Sequence, residues 1–270
     1  MSRPPVALAI AGSDPSGGAG IQADLKTFSA LGAYGTTVVT ALTAQSTQGV
    51  TGVHLVPPAF VTQQLHTLVA DVRVDAIKIG MLATSDLADA VAAFLREQPH
   101  ETVVLDPVMV ATSGDRLLDQ DAVEAVRRLL PLVSLVTPNL AEAADLLRDS
   151  VATDVPAMQD QARRLVEAGA RRVLLKGGHL GPEEAAVDVY ASRDEEQVLS
   201  VPRLRTTSTH GTGCTLSSAV TALRPQRRGW LEAVTEAKAW LTGAIAAADV
   251  LDVGGGHGPV HHFYQVWGSR

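Results

Sequence analysis

Short apolar runs alternate along this chain with longer stretches whose apolar residues recur every three or four positions. The run VALAIA at 6–11 stops at Gly12-Ser13-Asp14-Pro15, the length and punctuation of a buried strand. Downstream, Ile21, Leu25, Phe28 and Leu31 fall on one face of a helix over 21–31. TTVVTAL at 36–42 is rich in β-branched residues and reads as a strand. The alternation continues with a helix at 60–72, a strand at 76–79 and an Ala-rich helix at 86–96 that Ser85 or Thr84 can cap. Then come a strand at 103–105, a helix at 121–130, a strand at 132–136, a helix at 159–168 and a strand at 173–175. Beyond that the rhythm changes. Strands at 187–190 and 198–201 are close enough for an antiparallel pair, helices follow at 214–223 and 231–250, and 254–259 is a glycine-rich loop.

This pattern predicts an α/β fold with a mostly parallel central sheet and helices on both faces. No linker rich in Pro, Gly or Ser and no internal repeat divides residues 1–270, so one domain is expected. Polar and glycine residues gather just after the strands: Ser13-Asp14, Gln45-Ser46, Gly80-Met81, Asp106, Asn139 and Lys176. In open α/β sheets ligands bind outside the carboxyl ends of the strands, so these residues are expected in one crevice.

Composition narrows the function. A formal charge of −7 gives no electrostatic footprint for nucleic acid or an anionic membrane. One cysteine excludes an internal disulfide framework and any multi-cysteine zinc site. The first apolar run, six residues before Gly12, is too short for a signal peptide or a membrane span. A cytoplasmic enzyme acting on a small molecule is the expectation.

Four stretches can carry chemistry. His210-Gly211-Thr212-Gly213-Cys214 leads into a helix. Amides at such a turn point outward and the helix N-terminus adds partial positive charge, a site for an anion such as phosphate. The same field is expected to lower the Cys214 thiol pKa, fitting it to act as base, to position an acceptor hydroxyl or to stabilise charge. A small buried hydrophobe is the alternative. GSDPSGGAGIQAD at 12–24 matches neither a P-loop nor G-x-G-x-x-G, but it is long for a strand–helix turn and suits a substrate loop. There Asp24 can bind a ligand or complement the helix dipole. Asp106, at a strand end before Pro107, is a natural Mg²⁺ position, and Asn139 with Glu142 makes a second oxygen-rich group; Glu142 can equally cap a helix. Lys176, beside Gly177-Gly178, can reach phosphate or stay solvated. His210 can contact a ligand, and the helix with Lys238, Trp240 and Leu241 can wall an adenine or simply pack; His261 and His262 receive no role. Together these features describe phosphoryl transfer, which needs in-line positioning and charge neutralisation.

Read jointly, AGSDPSGGAGIQADLKT, TALTAQST, KIGMLA, DPVMVATSGD, TPNLAEA, LLKGGH, THGTGCTLSSA and GHGPVHHF resemble the hydroxymethylpyrimidine/phosphomethylpyrimidine kinase family of thiamine biosynthesis, from about residue 7 to 263. The resemblance implies a ribokinase-like fold, ATP with Mg²⁺, and two successive phosphorylations of 4-amino-5-hydroxymethyl-2-methylpyrimidine. It implies that Asp24 and Gln45 hold the pyrimidine, with Gly12, Met81 and Val108 around it. Nucleotide and metal contacts are implied at Asp106, Asn139, Glu142, Lys176 and Thr209, Asp106 and Glu142 being the metal pair. Gly211, Thr212, Gly213 and Cys214 form the implied anion hole, Cys214 standing where related sugar kinases carry an aspartate base. His210, Thr212 and Lys238 are assigned to the nucleotide side. Thr112 replaces a lysine frequent in the family, and Arg116 is a substitute; residues 111–116 are the candidate closing loop. A homodimer is expected. A pyridoxal kinase of the same fold is the alternative enzyme, and a non-catalytic sensor the alternative class.

Overall fold

The computed structural model describes residues 3–109, 120–178, 180 and 185–267, and of residues 120–122 the backbone alone. The first strand β1 (Val6–Ala11) is buried along its whole length, as a run without polar positions requires. Helix α1 (Gly20–Ala30) returns the chain to β2 (Tyr34–Val39), parallel to β1. A separate antiparallel hairpin follows, β3 (Ala41–Ser46) and β4 (Gly49–Leu55). The expected strand over 36–42 is therefore two strands. The break falls at Thr40, whose amide donates to the Ala11 carbonyl at 3.0 Å and whose hydroxyl donates to the Met81 carbonyl at 2.7 Å.

The alternation then runs through α2 (Pro58–Val69), β5 (Ala76–Ile79), α3 (Ser85–Glu97), β6 (Val103–Leu105), α4 (Gln120–Leu129) and β7 (Leu135–Val136). Thr84 caps α3 by accepting from the Leu87 amide at 3.3 Å. Only 135–136 of the strand expected at 132–136 pairs, because Leu130–Leu132 forms a 3₁₀ turn with Pro131. Helices α5 (Leu140–Leu147) and α6 (Val155–Glu167) precede β8 (Arg172–Lys176), and β9 (Ala185–Ser192) and β10 (Glu196–Pro202) close the sheet. Two long helices end the chain, α7 (Thr212–Leu223) and α8 (Trp230–Ala246). No helix of the described residues is long and apolar enough to cross a membrane.

The sheet order is β10-β9-β8-β7-β6-β5-β1-β2, parallel from β2 to β8 and antiparallel beyond. Both faces are covered. Val103 and Leu105 point to a core shared with α2 to α6, whereas Val104 between them points to a core shared with α7 and α8. The register sets Ile10 beside Ile79, Ile79 beside Leu105 and Leu105 beside Val136. Four strands thus end level with one another, and the residues after them meet at one edge.

Candidate active site

A cavity of about 1040 Å³ opens at that edge. Its wall includes Gly12, Gln45, Met81 and Val108. Asp106, Asn139, Glu142, Lys176, Thr209 and Lys238 also line it. The turn His210-Gly211-Thr212-Gly213-Cys214 borders the same space. The polar residues that the sequence scatters over 200 positions share this one cavity.

The turn's shape follows from its glycines. Gly211 is the N-cap of α7 with φ +74, the left-handed region that costs other L-residues, and a Cβ there would collide with the Gly18 carbonyl. The loop after β1 is thereby pressed against the first turn of α7. Asp14 fastens the two together. Its carboxylate accepts from the Ala19 amide at 2.8 Å and the Ser16 amide at 2.9 Å, and lies 2.7 Å from His210 Nε2. Burial works to raise the Asp14 carboxyl, but the His210 ring, the Ser16 hydroxyl and these amides outweigh it and hold it at about 2. The Nε2 atom of His210 is committed to Asp14, so that nitrogen serves the turn rather than a nucleotide.

A Cβ at Gly12 would lie 2.6 Å from Met81 Cε, so a side chain there would push the flexible end of Met81 aside. Gln45 is aimed by a register shift between Ala44 and Gln45 in the hairpin, and its Oε1 lies 3.2 Å from the Thr43 hydroxyl. Asp24, expected to touch the pyrimidine, does not line the cavity. Its side chain is wholly enclosed, with both oxygens on Lys78 Nζ at 2.9 and 3.0 Å and Oδ1 on the Ser218 hydroxyl at 2.6 Å. A carboxylate so far from water must spend its acceptors on internal donors.

Lys176 Nζ lies 2.9 Å from Asp106 Oδ1 and 4.0 Å from Glu142 Oε2. Burial works against the Lys176 charge, but the two carboxylates outweigh it and hold the ammonium above its usual range. Asp106 also receives the Ser217 hydroxyl at 3.3 Å. Asn139 and Glu142 form a reciprocal capping box on α5: Asn139 Oδ1 accepts from the Glu142 amide at 2.9 Å, and Glu142 Oε2 accepts from the Asn139 amide at 2.7 Å. The capping role weighed for Glu142 is thus realised while the residue still lines the cavity. Burial pushes its carboxyl up to about 7, with Lys176 opposing. Lys238 is likewise engaged, at 2.5 Å from Asp188 Oδ2, while Asp188 Oδ1 accepts from the Gly177 amide at 3.0 Å. It lines the cavity as half of an ion pair.

Cys214 is partly exposed to the cavity, but its thiol is not lowered as expected. Burial pushes it up to about 11; Lys78 pulls the other way, and Asp106 and Asp24 add to the rise. Removal from water and two neighbouring carboxylates outweigh the field of the helix end.

Lys78 and Asp188 were missed by sequence reasoning, whereas Asp14 was expected in the crevice but not as the partner of His210. A signal existed for Lys78, the lone charge in the strand AIKI, which a buried site tolerates only with a partner. Asp188 carried none. Thr112, Arg116 and the proposed closing loop at 111–116 lie outside the described residues.

Comparison with known proteins places this geometry. The phosphomethylpyrimidine kinase family profile matches residues 14–261. The hydroxymethylpyrimidine/phosphomethylpyrimidine kinase of Salmonella typhimurium is 56% identical over 262 residues, 97% of this chain and 98% of that one. Its Escherichia coli counterpart is 55% identical over the same span. Among solved structures, an ADP complex of Bacillus subtilis pyridoxal kinase superposes with a TM-score of 0.90 at 36% identity, covering 98% of this chain and 100% of that one. The phosphomethylpyrimidine kinase of Clostridium difficile gives 0.79 at 38%, covering 89% and 99%. The ribokinase-like architecture agrees with these neighbours, and pyridoxal kinase enters as a neighbour in fold. Both of these curated relatives carry the pyrimidine kinase name, and with the family profile they show that this chain, a phosphotransferase, belongs to the phosphomethylpyrimidine kinase family.

Proposed function

We propose that the chain transfers the γ-phosphoryl group of ATP to the hydroxymethyl oxygen of 4-amino-5-hydroxymethyl-2-methylpyrimidine, and then a second phosphoryl group to the resulting monophosphate, in the cytoplasm. The observation that carries the reading is that Gln45 and Cys214 line one cavity. The Gln45 amide offers a donor and an acceptor, which suits the edge of an aminopyrimidine. Amides of the 211–214 turn suit the transferring group, because the first N–H groups of a helix have no partner within it. The acceptor hydroxyl gives its proton to the Cys214 thiolate. Its oxygen bonds to the γ-phosphorus, the bond from phosphorus to the bridging oxygen breaks, and ADP leaves.

Mg²⁺ belongs to this proposal. Among the described residues no group of three or more His, Cys, Asp or Glu could hold a metal ion by itself. That fits Mg²⁺, which usually takes one or two protein carboxylates and completes its shell with water and phosphate oxygens. Asp106 and Glu142 are the residues that would hold it, and it would neutralise phosphate charge. A homodimer is also proposed, supported by the exposed apolar side chains of Leu42, Val53 and Leu55 on the β3–β4 hairpin, and sedimentation would detect it.

Incubation of the purified protein with ATP, Mg²⁺ and the pyrimidine alcohol tests the reading. Monophosphate followed by diphosphate is expected. ATP hydrolysis with the alcohol unchanged overturns it.

A further inference from the structure

Two carboxylate–lysine pairs flank the start of α7, and adjacent serines of that helix join them. Ser217 donates to Asp106, the partner of Lys176; Ser218 donates to Asp24, the partner of Lys78. Lys176 is shared between Asp106 and Glu142. Among the described residues Lys78 has Asp24 as its partner in hydrogen-bond range, and Asp24 divides its acceptors between Lys78 and Ser218. The Lys78 side chain is wholly removed from solvent yet contributes to the cavity wall together with Cys214. A buried ion pair adds little stability over apolar side chains of the same volume. The Lys78 charge is therefore better explained by what it faces than by what it holds.

We propose that Lys78 is the positioning cation of Cys214: sharing the cavity wall with it and tied through Asp24 to Ser218, one turn further along α7, it favours the thiolate that receives the proton of the acceptor hydroxyl. The inference rests on the proton-acceptor role given to Cys214 above. The groups that face the thiol are Lys78 from β5, Asp24 and the Gly20 amide from α1, Asp106 after β6 and Lys176 from β8. Of these charges Lys78 pulls most strongly against the effect of burial on the thiol, whereas both carboxylates reinforce it. Burial works against the ammonium itself, and Asp24, with Cys214 and Asp106, outweighs that and holds it above its usual range.

Cys214 is the single cysteine of the chain, so iodoacetamide alkylation reads its thiolate fraction without interference, in the whole protein and without substrate. Followed as a pH profile, the reaction distinguishes a moved midpoint from a uniform change in access. Lys78→Met is expected to raise the midpoint by about one unit or more, a roughly tenfold slower reaction at any pH below it. Asp24→Asn, which strips Lys78 of its counter-charge, is expected to lower the midpoint, and Lys78→Arg to remain near wild type. An unmoved midpoint in folded Lys78→Met overturns the inference, as do shifts of the Met and Asn variants in the same direction. If Lys78→Met does not fold, Lys78→Gln takes its place: a raised midpoint supports the inference and an unmoved one overturns it. Turnover of the pyrimidine alcohol by the wild type is scored separately. Its absence condemns the functional reading, whereas a midpoint indifferent to Lys78 condemns only the role given to this lysine.

Discussion

The carboxylate of Asp14 lies 2.7 Å from Nε2 of His210, and through this contact the glycine loop after β1 is fastened to the turn that opens α7. Loop and turn both line the cavity, and the pair fixes how they sit against each other there.

One consequence is a pH dependence of stability. The Asp14 carboxyl is lowered from 3.8 to about 2, so its stabilising contribution is complete above the unfolded value and is lost as pH falls through about 2. Asp14→Asn is expected to lose about 2 kcal/mol at neutral pH and to unfold with a shallower acid limb between about pH 4 and 2. Urea denaturation at several pH values measures both. An unchanged acid limb would assign that limb to other groups.

Cys214→Ser is expected to lower kcat by about 10²–10⁴-fold, the usual cost of a misplaced proton acceptor, with little change in nucleotide affinity. Because burial pushes the thiol up to about 11, kcat/KM of the wild type is expected to climb with pH above neutrality. The serine variant is expected to lose that climb. Steady-state kinetics with a parallel nucleotide titration separate the effects; wild-type turnover in Cys214→Ser removes the residue from the chemistry.

Gln45→Ala is expected to raise KM for the pyrimidine alcohol by about tenfold, the value of one or two hydrogen bonds in a desolvated pocket, while nucleotide binding holds. Calorimetry with each ligand alone checks this. Equal losses for both ligands contradict a dedicated acceptor contact.

Gly211→Ala combines a left-handed backbone with a Cβ driven into the Gly18 carbonyl. Strain of about 1–2 kcal/mol from the backbone alone is expected, and the collision adds to it. The amides of the turn then move, and kcat is expected to fall more than Tm does. Thermal melts and kinetics on one preparation provide the comparison; full activity with a lowered Tm means that the turn's exact shape is dispensable.

The main sheet was legible because its central strands are buried and, Lys78 apart, apolar, and end at Gly12, Gly80, Asp106 and Thr137, punctuation that a parallel α/β sheet leaves in the sequence. The hairpin was not. Residues 36–42 read as one β-branched run, and what divides them is tertiary, the hold of Ala11 and Met81 on Thr40. Helix α5 announced itself only through Asn139 and Glu142, which served equally well as ligand candidates. At the site, every described residue that the family resemblance assigned a role lines the cavity except Asp24, because position after a strand end determines who faces the crevice. What sequence could not supply was pairing. Asp24 turns away because Lys78 and Ser218 claim it, and Lys238 meets Asp188 instead of a free ligand edge. The state of Cys214 failed for a similar reason, since the helix end was visible in the sequence and its buried carboxylate neighbours were not.

The central claim is that this cavity presents an aminopyrimidine alcohol to the phosphate held by the 211–214 turn. The most direct measurement is a mass spectrum of the products when the pyrimidine alcohol and pyridoxal are offered together with ATP and Mg²⁺. The account predicts the pyrimidine monophosphate first and its diphosphate later, with pyridoxal largely untouched. Pyridoxal phosphate as the dominant product, or ADP with neither heterocycle modified, would contradict it.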